Sequence, residues 1–190
     1  MALGDLIPWI AGGIILVILG GLVLYFVGIY NRFFSLKNSS EATLGQIRVA
    51  MKKRLDMIDQ LLGAVKSYAT FERETLEKVT AMRTRVATAD PGDLNSIEKE
   101  SRSLLGRLFA VAEAYPDLKT NTTVLTLMDS VRGVEDEIAR QRYTYNNISQ
   151  QYNTLCDVIP SNFIARILGL SKLQYLEFEE AIETPPKIAF

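Results

Sequence analysis

The sequence predicts an all-α protein, in which an N-terminal single transmembrane helix is followed by an up-and-down, coiled-coil-like helical bundle. The bundle is expected to contain three long helices and a short C-terminal helix. An uncharged apolar stretch comes first, and of the 21 basic and 22 acidic residues only Asp5 precedes it. Apolar residues then recur at a mean period of about 3.5, which is typical of supercoiled helices. No stretch alternates apolar and polar residues as a half-buried strand would.

The apolar stretch at residues 6–29 predicts a retained membrane anchor, which we assign to residues 1–31 and expect to contact the lipid bilayer. A hydrocarbon core of ~30 Å needs about 20 apolar residues as a helix. Trp9 and Tyr30 would lie ~31 Å apart, one at each interface. A cleavable signal peptide is the alternative. It fits poorly, because no basic residue precedes the stretch and no Ala-x-Ala site follows it.

The distribution of Lys and Arg predicts the orientation of the anchor. None precedes the stretch, whereas Arg32, Lys37 and Arg48 follow it. The positive-inside rule therefore places a short N-terminus outside and the bundle on the cytoplasmic side of the cell (inner) membrane.

Glycines in the span allow two interpretations. Gly13, Gly20 (or Gly21) and Gly28 recur every seven or eight residues, and small residues on one face let membrane helices approach closely. No Gly-x-x-x-Gly is present, so these are alternatively ordinary glycines of a membrane span.

The first soluble helix is expected to run unbroken to Val86. Capping residues at Asn38–Glu41 would start it if the span and the bundle are separate helices. Asp90–Asp93 would end it, because proline and glycine disfavour helix continuation. Its apolar seam comprises Leu44, Ile47, Met51, Leu55, Ile58, Leu62, Val65, Ala69, Leu76, Val79 and Val86.

The second helix is expected at Leu94–Ala114, and the third from Thr120–Thr123 to Pro160. At ~1.5 Å per residue the three long helices measure about 70, 30 and 58 Å. Either a partner covers the excess length, or the third helix bends.

A short fourth helix is expected at Asn162–Leu168, with Ser161 as its N-cap and Gly169 as its stop. Helical turns at Leu173–Glu180 would complete a bundle domain of residues 32–182. Residues 183–190 would then form a C-terminal tail that contains two consecutive prolines.

The composition excludes several classes of chemistry. The chain has no histidine and one cysteine, Cys156, which excludes an intrachain disulfide, a Cys/His zinc site and histidine-based catalysis. Beyond the span, basic and acidic residues balance at 21 each, which argues against nucleic-acid binding. A glycine-rich phosphate loop is also missing.

Two Tyr-Asn pairs, Tyr145-Asn146 and Tyr152-Asn153, lie seven residues apart on the seam of the third helix. Buried tyrosine hydroxyls and asparagine amides need hydrogen-bond partners. The pairs would form either a polar ligand groove or, as we favour, an internal polar ladder that fixes helix register.

The remaining candidates favour structural roles, so we expect no enzyme and no catalytic, cofactor or metal site. Most carboxylates at helical spacing face water or pair with Lys and Arg. Cys156 is expected to pack as a small apolar residue. The carboxylates considered as acid–base pairs are Glu72, Glu74, Glu113, Glu135 and Glu137.

Two further segments have alternative interpretations. The basic run Lys52–Arg54 would form a salt-bridged helix face or, less favourably, contact anionic lipid. The apolar C-terminal stretch would close the end of the bundle or dock on lipid or a partner. This stretch comprises Phe163, Ile164, Ile167, Leu168 and Leu170.

Several segments resemble the LemA family over about Tyr30–Phe190. The run Leu-Phe-Ala-Val-Ala-Glu-Ala-Tyr-Pro within Leu105–Lys119 carries the resemblance most specifically, and Tyr30-Asn31 occupies the place of the family's first Tyr-Asn pair. Further matching segments are Met51–Ile58, Val65–Ala69, Glu72–Val79, Glu135–Arg142, the two later Tyr-Asn pairs and Pro160–Ala165.

The resemblance implies a prokaryotic single-pass membrane protein with an up-and-down helical bundle. It implies no activity, cofactor or catalytic residue, because the family has no agreed biochemical function. Membrane proteases and magnetosome membranes are associated with related proteins. Many members have a proline where this chain reads Asp56–Leu61, and its absence favours an unbroken first helix.

Our leading hypothesis is a membrane-anchored scaffold or adaptor whose bundle binds a protein partner, with a membrane protease as one candidate. The alternative is a structural homo-oligomer that organises or shapes a membrane, including membranes of the magnetosome type.

Overall fold

The computed structural model of the protein describes residues 3–66, 68 and 73–177. The predicted all-α class is confirmed, since these residues form helices and contain no strand. The helices are α1 (Leu3–Val65), α2 (Arg73–Arg85), α3 (Pro91–Ala114), α4 (Pro116–Lys119), α5 (Thr122–Asp157) and α6 (Ser161–Ile167).

The chain divides into two compact units. The anchor unit contains the described residues up to Ser40 together with Ile148–Leu173. The bundle unit contains the described residues between Glu41 and Asn147 together with those from Gln174 to Glu177.

In the anchor unit, α1 carries an apolar segment that is long enough to cross a membrane, and none of that segment is buried within the protein. Trp9 near its beginning and Tyr30 near its end are both exposed. The helix has no break at Asn38–Glu41. Ser40 is buried there, and its hydroxyl donates to the carbonyl oxygen of Lys37 at 2.7 Å.

The core of the anchor unit joins α1, α5 and α6. The ring of Phe33 packs edge-on against Tyr152 at a centroid distance of 5.5 Å, and Ile164 and Ala165 are buried beside them. Each large apolar side chain that is fully buried contributes about 1.5–3 kcal/mol.

The boundaries of α6 confirm one prediction and correct another. Gly169 has φ +63°, a left-handed conformation that glycine adopts without strain and that ends a helix. Ser161, however, is the first helical residue rather than the N-cap. Its hydroxyl donates to the carbonyl oxygens of Leu155 (2.7 Å) and Val158 (3.0 Å), so it binds the preceding turn.

The predicted unbroken first helix is wrong, because α1 ends at Val65 and α2 returns along it within the bundle unit. Arg83 Nη2 lies 2.6 Å from Asp56 Oδ1. In a continuous helix these residues would be about 40 Å apart. The apolar spacing concealed the reversal, since Val65 and Val79 lie in the same core and helices before and after a turn can keep the same period.

The core of the bundle unit is formed by α1, α2, α3 and α5, with further residues from α4 and the C-terminal segment. The caps of α3 and α5 follow the predicted boundaries: Asp90 Oδ1 accepts from Asp93 N at 2.8 Å, and Asn121 Oδ1 accepts from Thr123 N at 3.0 Å. The core includes Met51, Leu55, Ile58, Val79, Met82, Leu94, Ile97, Leu105, Leu108, Leu118, Val131, Ile138 and Leu176.

The expected helical turns at Leu173–Glu180 are wrong for the described part, because residues 171–177 are not helical. Residues 178–180 and the predicted tail at residues 183–190 lie outside the described residues.

Candidate functional site

A buried charge network connects three helices of the bundle unit. Arg54 on α1 is fully buried, with 0% of its surface exposed. Its guanidinium donates to Glu135 Oε1 on α5 at 2.8 Å and to Ser101 Oγ on α3 at 2.5 Å. Ser101 in turn donates to the carbonyl oxygen of Ile97 at 2.6 Å. Arg54 on α1 is thus bound to α3 and α5 at the same time.

A second buried ion pair continues the network. Arg142 on α5 pairs with Glu98 on α3, and both side chains are buried. Arg102 Nη2 lies 3.2 Å from Glu98 Oε1 and 3.4 Å from Glu135 Oε2, so it links the two carboxylates. Burial lowers the pKa of Arg142, and the charge and hydrogen bond of Glu98 oppose that shift.

The chemistry of this network suits a structural role. A buried charge is stable only when it is paired and hydrogen-bonded. Guanidinium groups remain protonated and so cannot act as bases. Both carboxylates bind arginines on other helices, so the arrangement fixes α1, α3 and α5 against one another.

Sequence reasoning identified only part of the network. Lys52 and Lys53 are exposed, as expected for a helix face, but Arg54 is buried at a core position. Glu135 was considered only as one carboxylate of possible acid–base pairs, and Glu98 and Arg142 were missed. The sequence did contain a sign that Arg54 is buried. It lies three residues after Met51 and four before Ile58, which places it on the same helix face as these two core residues.

The second Tyr-Asn pair binds Leu173, the last residue of the anchor unit. Asn153 Nδ2 donates to the carbonyl oxygen of Leu173 at 2.9 Å, and Leu173 N donates to Asn153 Oδ1 at 2.7 Å. The side-chain amide therefore satisfies both backbone groups of one residue. Its neighbour Tyr152 packs on Phe33, and burial raises the pKa of the Tyr152 hydroxyl.

The first Tyr-Asn pair repeats this contact in the bundle unit. Asn146 bonds to Leu176 through both backbone groups, at 2.7 and 2.9 Å. Tyr145 donates its hydroxyl to the carbonyl oxygen of Gln174 at 3.0 Å, and Asn95 Oδ1 accepts from Glu177 N at 3.1 Å. These amides bind backbone from the C-terminal segment, whereas sequence reasoning favoured a ladder between helices.

The other candidate carboxylates do not converge on a site. Glu74 forms an exposed pair with Lys78 at 2.7 Å, Glu113 is exposed and Glu137 is half-buried; Glu72 lies outside the described residues. Among the residues that the structure describes, no group of three or more His, Cys, Asp or Glu side chains is placed to hold a metal ion.

Cys156 packs against the core of the anchor unit. Burial raises the pKa of its thiol, and the neighbouring Asp157 adds to the shift while Lys172 opposes it. A thiol reacts through its thiolate form, so this environment makes Cys156 a poor nucleophile at neutral pH.

Several known proteins are similar to this chain over most of its length. The chain is 27% identical over 157 residues to Protein LemA of Metamycoplasma hominis, a match that covers 82% of this chain and 72% of the relative. It is 25% identical over 183 residues to magnetosome protein MamQ 2 of Paramagnetospirillum magneticum, covering 82% of this chain and 67% of the relative. Magnetosome protein MamQ of Magnetospirillum gryphiswaldense is 22% identical with the same coverage.

The LemA family model matches residues 43–190, which is most of the chain and includes the whole charge network and both Tyr-Asn pairs described above. The match confirms the resemblance seen in the sequence, and the chain belongs to the LemA family.

Proposed function

We propose that this membrane-associated protein is a scaffold whose helical bundle binds a protein partner. The observation that carries the proposal is the buried charge network. Among the described residues, the buried charged side chains are Arg54, Glu98 and Arg142. Each of them is bound by another side chain of the bundle unit. These polar groups therefore hold helices in place, and a fixed helical surface attached to a membrane suits recognition of another protein.

We also propose a topology for this scaffold. Residues 1–31 act as the anchor, with the bundle of residues 32–182 on the cytoplasmic side, supported by Arg32 and Lys37 directly after the span. Green fluorescent protein fused to the C-terminus is expected to fluoresce, whereas alkaline phosphatase at the same position is expected to be inactive. The reverse pattern would contradict this orientation.

Partner binding is tested by charge reversal on exposed faces of the bundle unit. Lys99→Glu and Arg107→Glu change α3, and Arg140→Glu changes α5; all three side chains are exposed. The full-length variants are purified after crosslinking in cells, and circular dichroism checks their fold. One face is expected to lose a specific co-purified protein, a membrane protease being one candidate. Retention of every co-purified protein in all variants would refute partner binding through these faces.

A structural homo-oligomer that organises a membrane is the second candidate function. A Cβ atom added at any glycine of the span would have no neighbour within 4 Å, so the seam of Gly13, Gly20 and Gly28 is accessible to another helix. The similarity to magnetosome proteins also supports this candidate.

The homo-oligomer is tested in the span itself. Gly20→Leu is expected to reduce the oligomer size in detergent, because a larger side chain prevents close approach of helices. Gly12→Leu, one residue away from the seam, is the matched control. An unchanged size for Gly20→Leu would count against this candidate.

A further inference from the structure

The segment around α6 exposes large apolar side chains in the anchor unit. Ile164 and Ala165 on α6 are buried in the core of the unit. On the outer side, Ile167 is 82% exposed and Phe163 54%, and Ile159 in the preceding turn is 76% exposed. Apolar exposure of this extent is typical of surfaces that contact protein or lipid. We call Val158, Ile159, Phe163, Ile167 and Leu168 the apolar edge.

A groove joins the apolar edge to the membrane span. Phe26, Val27 and Tyr30 of α1 form one wall, and Ile164, Ile167 and Leu168 form the other. The cavity has a volume of about 320 Å³. Except for the hydroxyl of Tyr30, every side chain in its lining is apolar.

A second groove brings the turn before α6 to the span as well. Its volume is about 380 Å³, and its lining includes Tyr25 and Gly28 of the span together with Val158 and Ile159. The α6 part and the preceding turn of the apolar edge therefore each share a groove with residues of the span. These residues of the span face lipid if α1 crosses the membrane.

The position of these grooves along α1 determines their depth. Tyr30 marks the interfacial end of the span, and Phe26 lies about 6 Å deeper because each residue rises ~1.5 Å. Ile167 and Leu168 share a groove with Phe26, so they lie at the level of the last turn of the span. At that level the surrounding medium is the boundary between lipid headgroups and acyl chains.

The charges of the anchor unit agree with this position. Beyond the span the unit carries Arg32, Lys37, Arg166 and Lys172 but one carboxylate, Asp157. Asp157 pairs with Lys172 at 2.9 Å. The resulting basic surplus is attracted to anionic lipid headgroups.

We propose that α6 and the turn before it form a second membrane contact, with the apolar edge embedded in the leaflet where the span ends. Ile159, Phe163 and Ile167 contact acyl chains, while Arg32 and Arg166 lie among the headgroups. This contact requires that α1 crosses the bilayer, but it is independent of any protein partner of the bundle.

The test measures the depth of spin labels in the full-length protein, in which Cys156→Ser removes the native thiol. Single cysteines replace Ile167 and Ile159, and the labelled protein is reconstituted in vesicles of phosphatidylcholine and phosphatidylglycerol. Collision with oxygen and with a water-soluble nickel chelate reports the depth. Both labels are expected about 5–10 Å below the headgroups, as for helices that lie in the interface.

Two control positions separate the possible outcomes. A label at Tyr143, which is 65% exposed in the bundle unit, is expected in water, and a label at Val23 in the span is expected in the hydrocarbon. A water-exposed Ile167 label beside a lipid-embedded Val23 label would overturn the second contact alone. A water-exposed Val23 label would overturn it together with the membrane crossing.

Contact with protein would also overturn the proposal, and the same samples detect it. A label at Ile167 that is shielded from both oxygen and the nickel chelate is covered by protein. Spectral broadening that disappears on dilution with unlabelled protein would identify a second copy as the occupant.

Discussion

Arg54 directly precedes the seam residue Leu55 and is fully buried, and it is tolerated there because Glu135 and Ser101 bind it. Arg54→Ala leaves Glu135 without its closest cation in the bundle core. Glu135 keeps Arg102 at 3.4 Å and is 26% exposed, so the cost is that of a lost hydrogen bond to a charged group, about 1.5–3 kcal/mol. We expect a loss of this size in the free energy of unfolding, measured by urea denaturation of the detergent-solubilised protein.

Arg132 is the matched control, because its pair with Asp129 has the same N···O distance of 2.8 Å but is exposed. Exposed pairs contribute about 0–1 kcal/mol, so Arg132→Ala should have little effect. Replacing both Arg54 and Glu135 by methionine should recover part of the loss, since the apolar side chains fill the space of the pair and no carboxylate has lost a hydrogen bond. Equal effects of Arg54→Ala and Arg132→Ala would contradict the structural role of the network.

The thiol of Cys156 gives a residue-scale prediction about pH. Because burial raises its pKa, a smaller fraction is thiolate at a given pH. Alkylation by iodoacetamide at pH 8 should be slower than that of an exposed cysteine introduced as Asn147→Cys in a Cys156→Ser background. Its rate should keep rising at pH values where the control has levelled off. Identical pH profiles would contradict the shift.

At the residue scale, the sequence predicted the packing of Cys156. The asparagines of the Tyr-Asn pairs, however, bind backbone of the non-helical residues 171–177 and do not form the predicted ladder between helices. The sequence also could not predict which carboxylate meets which arginine. Glu98 and Arg142 are far apart in sequence, and their pairing depends on how α3 and α5 pack. A charged residue that lies three and four residues from two seam positions is nevertheless a usable sign of a buried pair, as Arg54 between Met51 and Ile58 shows.

At the scale of elements, the two asparagine contacts explain how a non-helical segment is held. Asn146→Ala removes both bonds to Leu176, and an unsatisfied buried polar group costs about 1–3 kcal/mol. Hydrogen exchange of the Leu176 amide should therefore accelerate. Asn147→Ala, at the exposed neighbouring position, should leave the Leu176 amide unchanged. Equal exchange in both variants would show that Asn146 does not hold the segment.

The return of α2 along α1 is a second prediction at this scale. Cysteines that replace Asp56 and Arg83 in a Cys156→Ser background should be joined by a short bis-maleimide within one molecule, because the native side chains are in contact. Single-cysteine variants control for links between molecules. Failure to form the intramolecular link would favour the continuous helix, in which the two positions are about 40 Å apart.

Helix boundaries with a local chemical cause were predictable from sequence, whereas the reversal after Val65 was not. Asp90 caps α3 by accepting a hydrogen bond from Asp93 N, and Gly169 ends α6 through its left-handed backbone conformation. Both effects depend only on residues that are close in sequence. The stretch between Val65 and Arg73 contains no proline or glycine, and Glu72 alone interrupts its apolar spacing. The non-helical residues 171–177 were missed for a related reason, since their hydrogen bonds come from distant side chains on α3 and α5.

At the scale of the whole molecule, two features support the proposal of a scaffold attached to a membrane. They are the apolar N-terminal segment and a helical bundle held together by buried ion pairs. The fold class and the family could be predicted because they depend on periodicity and on extended sequence motifs. The partner could not, because recognition depends on the pattern of exposed side chains and on the surface of another protein.

The most direct test of the scaffold is photo-crosslinking of the full-length protein in its native membrane. A photoreactive amino acid replaces Val49, Leu125 or Tyr143, which are exposed in the bundle unit, and mass spectrometry identifies the products. The scaffold predicts one discrete foreign protein crosslinked from one face, with no product when the photoreactive group replaces buried Ile58. Products that contain only copies of this chain, or no product from any exposed position, would contradict it.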